Sequence, residues 1–162
     1  MCIGRGTHSV SNLVFDGALR QFMYGKLHRV TITGAELDYI GSITVDPILL
    51  RASGLLPNTA VDVVNITNGE RITTYVIEGT EGSGVICLNG AAAHQFSKGD
   101  LAIIMGYEFV PAKDLPGRVS RAVHVDSKNR IVNIDEYVTP SQAELGQPQN
   151  NREGQKYETV DA

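Results

Sequence analysis

The sequence has few of the features that mark membrane, secreted or disulfide-rich proteins. Its 162 residues contain no apolar run approaching the roughly 20 residues that span a bilayer. The N-terminal 25 residues include Arg5, Asp16 and Arg20 and have no clean apolar core of a signal peptide. The two cysteines, Cys2 and Cys87, form no metal-spaced cluster, and a chain of this size needs no disulfide. We therefore expect a protein of the reducing cytoplasm that binds no membrane.

The sequence also has no excess of positive charge. Lys and Arg number 14 against 18 Asp and Glu, which gives a net charge of −4 and no basic field that would attract nucleic acid. The four histidines, at positions 8, 28, 94 and 124, show neither an HxxxH nor a His/Cys pairing. We expect neither a nucleic-acid partner nor a bound metal.

The residues that the sequence does contain favour strands. Hydrophobic residues make up 42% and charged residues 20%, which is enough apolar surface for one globular domain. Val and Ile together outnumber Leu more than twofold, and the 17 glycines suit tight turns. The composition predicts a mainly β fold.

Alternation of apolar and polar residues predicts short strands that close into a small barrel. Asn68-Gly69 is a strong turn signal between two of these strands. Asp46-Pro47 predicts the start of a short helix, because Asp caps exposed amides and Pro fits the first helical position, and Gly54 would end that helix. The strand candidates are 28–33, 39–45, 60–66, 71–78, 84–89, 100–109, 122–126 and 131–134.

The two ends of the chain differ in composition from its middle. Residues 1–24 show no sustained period and are predicted to be an extension, and residues 25–138 form the domain. Residues 139–162 are rich in Gln, Asn, Glu and Gly and have almost no large apolar groups. Such a segment cannot offset the entropy of ordering, so we expect a flexible tail.

Several motifs have a structural explanation beside a functional one. The run NGAAAH at 89–94 would let a ligand approach the backbone, but it also suits a closely packed helical turn. Gly41-Ser42 would ordinarily be a bulge in a strand, and Arg71 an exposed cation on one. The glycines of 79–85 fit a hairpin turn better than a phosphate loop, and Cys87 fits a buried structural thiol better than a nucleophile.

Four motifs taken together resemble the bacterial aspartate 1-decarboxylases, a family of pyruvoyl-dependent enzymes that make β-alanine. The motifs are GKLHRV at 25–30, YIGS at 39–42, TNGERITTY at 67–75 and NGAAAH at 89–94. Their order and spacing match as well, and the resemblance covers roughly residues 18–138.

The resemblance implies a fold, an assembly and a maturation step. Members of the family form a six-stranded double-psi β-barrel and a homotetramer with active sites between neighbouring subunits. They begin as a precursor that cleaves itself at a Gly-Ser bond, here between Gly41 and Ser42, which would yield residues 1–41 and 42–162. Ser42 would become an N-terminal pyruvoyl group that forms a Schiff base with the substrate amine, so no external cofactor would be required.

The resemblance also implies roles for side chains around that bond. Tyr75 would donate a proton to the carbon that has lost its carboxylate. Lys26 and Arg71 would hold the dicarboxylate L-aspartate, because arginine grips a carboxylate through two parallel hydrogen bonds and lysine adds a compact charge. The remaining carried-over positions are Thr74, which contacts substrate and assists processing, Gly90, Ala91 and Ala92, which line the pocket, and Asn89, Tyr39 and His28, which support the site.

Departures from the family pattern leave other functions open. The N-terminal segment is longer than usual, Phe22-Met23 replaces a Thr-Met pair, and Val64 stands where some members carry tryptophan. One alternative is a pyruvoyl-dependent decarboxylase of another amino acid, such as glutamate. Another is a non-enzymatic binding module, since a barrel of this kind does not determine its function. Retention of the cleavage pair together with the substrate-binding and proton-donating side chains argues against a binding module.

Overall fold

The computed structural model describes residues 17–39 and 41–145. Within them lie nine strands, one α-helix and three 3-10 helices. None of the helices in this part of the chain is long and apolar enough to cross a membrane. The strands are β1 (Leu19–Thr31), β2 (Gly34–Glu36), β3 (Ile43–Val45), β4 (Ala60–Asn65), β5 (Arg71–Glu78), β6 (Ile86–Asn89), β7 (Leu101–Pro111), β8 (Val119–Val125) and β9 (Ile131–Val138). The helices are α1 (Pro47–Ser53) and the 3-10 helices Gly90–Gln95, Ala112–Asp114 and Gln142–Glu144.

The strands form one mixed sheet that returns on itself. Their order is β2-β6-β3-β5-β4-β7-β1-β8-β9. Only Ile32 and Thr33 separate β1 from β2, so these two strands together occupy one strand position of the barrel wall, called a rib here. This rib pairs with β7 through β1 and with β6 through β2. The ring therefore has six ribs, and β8 and β9 extend from β1 outside it. The prediction of a mainly β barrel is confirmed, although the described residues form nine strands where six were expected.

The ring combines two kinds of strand pairing. β2 pairs with β6, and β3 with β5, in parallel. The pairs of β4 with β5, β4 with β7, β1 with β7 and β3 with β6 are antiparallel. This mixture is compatible with the double-psi barrel that the resemblance implies.

The core of the barrel is built from alternate residues of the ribs. Val61 and Val63 of β4 and Ala102 and Ile104 of β7 are almost completely buried, while the residues between them are more exposed. Burying one large apolar side chain stabilises the fold by about 1.5–3 kcal/mol. The other fully buried large side chains include Leu27, Val30, Ile32, Ile43, Val45, Ile86 and Leu88.

Helix α1 begins and ends where the sequence predicts. The Asp46 side chain accepts a hydrogen bond from the Ile48 N–H at 2.9 Å, and Pro47 occupies the first turn. Gly54 ends the helix with φ 79°, and its N–H donates to the Leu50 carbonyl. Asp46 also accepts from the Gly84 N–H at 2.6 Å, so the same carboxylate ties the helix to the loop before β6.

The predicted strand at 39–45 is wrong in its first half. Strand β3 begins only at Ile43, and the described residues before it, 37–39 and 41–42, form turns and bends. Gly41 and Ser42 have φ values of 67° and 89°, which no extended strand can accommodate. The alternation of side chains in the sequence does not report this change of backbone conformation.

Ordered structure reaches past both predicted boundaries of the domain. Strand β1 begins at Leu19, inside the stretch predicted as an extension, and Tyr24 packs against the core. At the other end, the Thr139 N–H donates to the Arg118 carbonyl, and the Ser141 N–H and hydroxyl both donate to the Glu144 carboxylate at 2.7 Å. The predictions for residues 1–16 and 146–162 lie outside the described residues.

Candidate active site

The candidate site lies where the start of β3 meets β5 and β6. Ile43 is in register with Val76 of β5 on one side and with Leu88 of β6 on the other. Ser42, one residue earlier, is therefore level with Tyr75 and Asn89. The Asn89 N–H donates a hydrogen bond of 2.8 Å to the Ser42 carbonyl and continues the pairing of β6 with this segment.

The backbone at Ser42 is strained. Three other non-glycine residues with positive φ, Arg29, Asn58 and Asn129, have values of 58–63°, which fall in the left-handed helical region. Ser42 has φ 89° and lies outside that region, directly after Gly41 with φ 67°. A residue held in such a conformation costs on the order of 1–3 kcal/mol and persists only where its surroundings impose it.

The hydroxyl of Ser42 is buried and engaged by the backbone. Ser42 is only 4% exposed, and its Oγ accepts a hydrogen bond of 2.6 Å from the Ile43 N–H. An N–H donor at this oxygen favours the negative charge that develops there when a serine acts as a nucleophile. The hydroxyl of Ser42 is thus held next to the strained peptide bond between Gly41 and Ser42.

Two glycines allow the close packing around this bond. A side chain at Gly41 would overlap the phenol oxygen of Tyr75. A Cβ at Gly90 would lie 3.4 Å from the Tyr39 carbonyl oxygen and 3.6 Å from the Gly41 nitrogen. Tyr75 itself remains 44% exposed, so its phenol contacts Gly41 from an open face of the sheet.

The side chain of Asn89 is fixed by two neighbours. Its Nδ2 donates to the Thr44 Oγ1 at 2.9 Å, and its Oδ1 accepts from the Cys87 thiol at 3.5 Å. Burial, with Glu36 nearby, raises the pKa of Cys87, so this thiol stays protonated and able to donate. Thr44 was not among the residues predicted from the sequence. The signal that could have identified it is a polar residue at the centre of an apolar strand, two positions after Ser42.

The other predicted pocket residues lie close by in the chain. Thr74 and Tyr75 are consecutive on β5 and point to opposite faces, since Thr74 is opposite the buried Val61. Ala91 and Ala92 follow Gly90 in the 3-10 helix, where Ala91 is exposed and Ala92 packs against the core. The small-residue run is therefore both a packed helical turn and a neighbour of the Gly41-Ser42 bond.

Arg71 and Lys26 do not converge on Ser42 within one chain. Arg71 lies four residues before Tyr75 on the same exposed face of β5 and forms an ion pair with Asp62 at 2.5 Å. Lys26 lies on β1, which is separated from β5 by β4 and β7. At about 4.8 Å per strand, the path around the barrel wall between these strands is roughly 14 Å. The Lys26 ammonium lies over the ring of Tyr137, whose centroid is 6.0 Å away.

His28 is on the same side of the barrel as Lys26. Its ring meets that of His124 edge to face, with centroids 5.1 Å apart, and its Nδ1 is buried without a hydrogen-bond partner among the described residues. Burial, the Lys26 charge and His124 lower the pKa of His28, so its imidazole is neutral at pH 7. The structure thus groups His28 with Lys26 and not with the Gly41-Ser42 bond.

These observations define a β-barrel protein with a strained Gly-Ser bond held beneath a tyrosine. A family model described as aspartate decarboxylase matches residues 18–132, and the chain belongs to that family of decarboxylases. The predicted family is therefore confirmed.

Individual relatives agree with the family model. An aspartate 1-decarboxylase of Neisseria meningitidis serogroup C is 49% identical over 121 residues, which are 75% of this chain and 95% of the relative. One from Corynebacterium efficiens is 53% identical over 116 residues, which are 70% of this chain and 84% of the relative. Among solved structures, a rationally designed protein called mkDPBB_sym_86 is 18% identical, with a TM-score of 0.37 over 48% of this chain and 90% of the design.

Proposed function

We propose that this chain cleaves itself between Gly41 and Ser42 and then converts L-aspartate to β-alanine and carbon dioxide, as a step toward pantothenate and coenzyme A. The observation that carries the proposal is the strained bond between these residues, packed beneath the Tyr75 phenol. The names of the relatives support L-aspartate as the substrate. We also propose a cytoplasmic location.

Self-cleavage uses the serine both as nucleophile and as the source of the reactive group. The Ser42 Oγ attacks the Gly41 carbonyl carbon, the C–N bond breaks, the Ser42 nitrogen takes up the hydroxyl proton as a free amine, and an ester replaces the amide. The Ile43 N–H supports the charge that develops on Oγ, and the rearrangement releases the strain at φ 89°. Loss of the Cα proton and of the ester carboxylate leaves a dehydroalanine, which takes up water and releases ammonia.

The residues around Ser42 fit the ketone that this sequence of steps produces. A pyruvoyl group supplies an electron sink to which the substrate amine attaches, the role that pyridoxal phosphate plays elsewhere. Gly41 becomes the end of the small fragment after the cut, so its contact with the Tyr75 phenol becomes available to substrate. Gly90 leaves room beside this contact because it carries no side chain.

Tyr75 is the proton donor in the proposed reaction. The bond between the substrate Cα and its carboxylate breaks, carbon dioxide leaves, and the electron pair that remains on Cα takes the phenol proton. The phenolate then recovers a proton from water. The Tyr75 phenol lies level with Ser42 and is half-exposed. It can therefore give a proton to the substrate and recover one from water.

Recognition of the second carboxylate supports a homotetramer with sites shared between subunits. Arg71 lies on the same face as Tyr75, but Lys26 lies on β1, three strand spacings from β5 around the barrel wall. A neighbouring subunit could bring its own Lys26 to the first subunit's Ser42 without any change of fold. The two cations would then hold a dicarboxylate between chains.

Intact-protein mass spectrometry and carbon dioxide release test the proposal together. We expect two fragments, residues 1–41 and 42–162, with pyruvoyl in place of Ser42 at the start of the larger one. Carbon dioxide should be released from L-aspartate faster than from L-glutamate. Ser42→Ala is the control and should remain one chain without activity. An uncleaved wild-type chain after prolonged incubation would contradict self-activation, and faster reaction with glutamate would contradict the substrate.

A further inference from the structure

The ion pair between Arg71 and Asp62 runs diagonally across two strands. In the register of β4 and β5, Arg71 is opposite Val64, while Asp62 is opposite Thr73. Asp62 is therefore two residues nearer to Tyr75, a displacement of roughly 6.7 Å along the strand. To reach Asp62 at 2.5 Å, the Arg71 side chain must lean along β5 toward Tyr75.

A second contact agrees with this direction. The Nη2 of Arg71 lies 3.5 Å from the Tyr107 hydroxyl, which also donates to the Met105 sulfur at 3.4 Å. Met105 pairs with Asp62, which is opposite Thr73. The charged group of Arg71 thus lies near the level of Thr73, two residues closer to Tyr75 than its own Cα.

Asp62 is the fixed member of the ion pair. Its side chain is 18% exposed, against 56% for Arg71, and its Oδ1 accepts a hydrogen bond of 2.6 Å from the Thr73 hydroxyl. Burial raises the pKa of Asp62, but the hydrogen bonds from Thr73 and Arg71 lower it by more, so the carboxylate is charged at pH 7. An anchored acid therefore determines where the exposed arginine points.

The pairing leaves other N–H groups of the guanidinium available. Asp62 and Tyr107 both contact Nη2, and the Arg71 side chain forms no other hydrogen bond among the described residues. Nε and Nη1 therefore keep N–H groups that can donate to a carboxylate. Asp62 thus orients the guanidinium without occupying these donors.

We propose that Asp62, held by Thr73, is a positioning residue that directs the free N–H groups of Arg71 toward Tyr75 and so sets recognition of the substrate carboxylate. The inference rests on the proposed decarboxylation, because it assigns a partner to Arg71 in that reaction. Asp62 does not touch the substrate and acts only through the arginine.

Two variants separate orientation from charge. Asp62→Asn removes both the charge and the strong hydrogen bond, and it should raise the KM for L-aspartate about tenfold while kcat changes less than about twofold. Thr73→Val keeps the Asp62 charge and removes only its anchor, and it should raise KM about threefold. Glu81→Gln is the matched control, because Glu81 is the partner of another arginine, Arg51, at 2.7 Å, away from this face.

Binding without reaction gives a second readout. Succinate has both carboxylates but no amine, and calorimetry on the self-cleaved protein should show its Kd raised in the same order, Asp62→Asn above Thr73→Val above wild type. A lower KM or Kd in Asp62→Asn would mean that Asp62 competes with the substrate for Arg71, and would overturn the inference.

A double variant tests whether Asp62 acts through Arg71. Arg71→Ala should raise KM on its own, and Arg71→Ala with Asp62→Asn should raise it no further. Additive effects would overturn the inference. The extent of self-cleavage by mass spectrometry should be unchanged in every variant, so that folding and maturation are monitored separately.

The outcomes distinguish this inference from the proposed function. A wild-type protein that releases no carbon dioxide from L-aspartate contradicts the proposed function. An active wild type with an Asp62→Asn variant that behaves like Glu81→Gln contradicts only the positioning role of Asp62.

Discussion

Ser42 combines burial, an engaged hydroxyl and an unfavourable φ in one residue. Each has a separate cause: β6 holds its carbonyl, the Ile43 amide holds its Oγ, and Gly41 lets the Tyr75 phenol approach. A serine in an ordinary strand bulge would need none of these contacts. Their coincidence at one peptide bond favours chemistry over simple chain reversal.

Gly41→Ala should block self-cleavage. The new Cβ would overlap the Tyr75 phenol oxygen, and alanine disfavours φ 67°, so the bond must move out of its present geometry. We expect mass spectrometry to show only the uncleaved chain.

Gly69→Ala is the matched control for backbone strain. Gly69 has φ 83°, but nothing lies within 4 Å of an added Cβ. This variant should lose about 1 kcal/mol of stability and still cleave. Equal cleavage by both glycine variants would contradict the role of close packing at Gly41.

Tyr75→Phe should separate turnover from maturation. The ring would still cover Gly41, so cleavage should proceed, but the proton donor would be lost. We expect kcat to fall by about 10²- to 10⁴-fold, measured as carbon dioxide release per cleaved chain. Unchanged kcat in fully cleaved protein would require another donor.

At the scale of the element, Asp46 links three parts of the structure. Its carboxylate accepts from the N–H groups of Ile48 at the start of α1 and of Gly82 and Gly84 before β6. Helix α1 follows β3 directly, so this carboxylate also fixes the end of the strand that Ser42 precedes. Asp46→Asn would place an amide donor against one of these donors and should cost about 1–3 kcal/mol in urea unfolding at pH 7.

The free energy of unfolding should depend on pH through the ionisation of Asp46. Burial raises the pKa of Asp46, but the Gly84, Ile48 and Gly82 amides lower it by more, so it lies below its ordinary value of 3.8. The stabilisation is then complete above about pH 5 and is lost as the pH falls through the ordinary value and toward the folded one. The difference between wild type and Asp46→Asn should shrink over this range, and a constant difference would contradict the assignment.

Elements were predictable where the local sequence determines them. The cap and stop of α1 and the bounds of β5 follow from Asp46-Pro47, Gly54 and the alternation of 71–78, and the structure reproduces them. The bend at Gly41 and Ser42 was not predictable, because the contacts that hold it come from β5 and β6, more than thirty residues later.

At the scale of the whole molecule, self-cleavage should not separate the two fragments. Residues 1–41 contain β1 and β2, which pair with β7, β8 and β6 of the larger fragment. Leu27, Val30 and Ile32 of the small fragment are fully buried in the core. We expect both fragments to elute together in native size-exclusion chromatography and to separate in denaturant. Loss of the small fragment on native dialysis would contradict this pairing.

Sharing of the active site between subunits can be tested by mixing inactive chains. Lys26→Ala and Tyr75→Phe should each be nearly inactive when expressed alone. Co-expressed chains should recover activity, because about a quarter of randomly mixed sites combine an intact Lys26 from one chain with an intact Tyr75 from another. No recovery in mixed oligomers confirmed by mass would mean that Lys26 serves its own chain.

The sequence alone determined the mainly β class, the capped helix and the identity of the residues at the proposed site, because these depend on local periodicity and on motifs that can be read in order. The tertiary structure decided that Ser42 is strained and that Arg71 leans toward Tyr75. Both depend on strand register, in which the partners of a residue are set by pairing across the barrel and not by position along the chain.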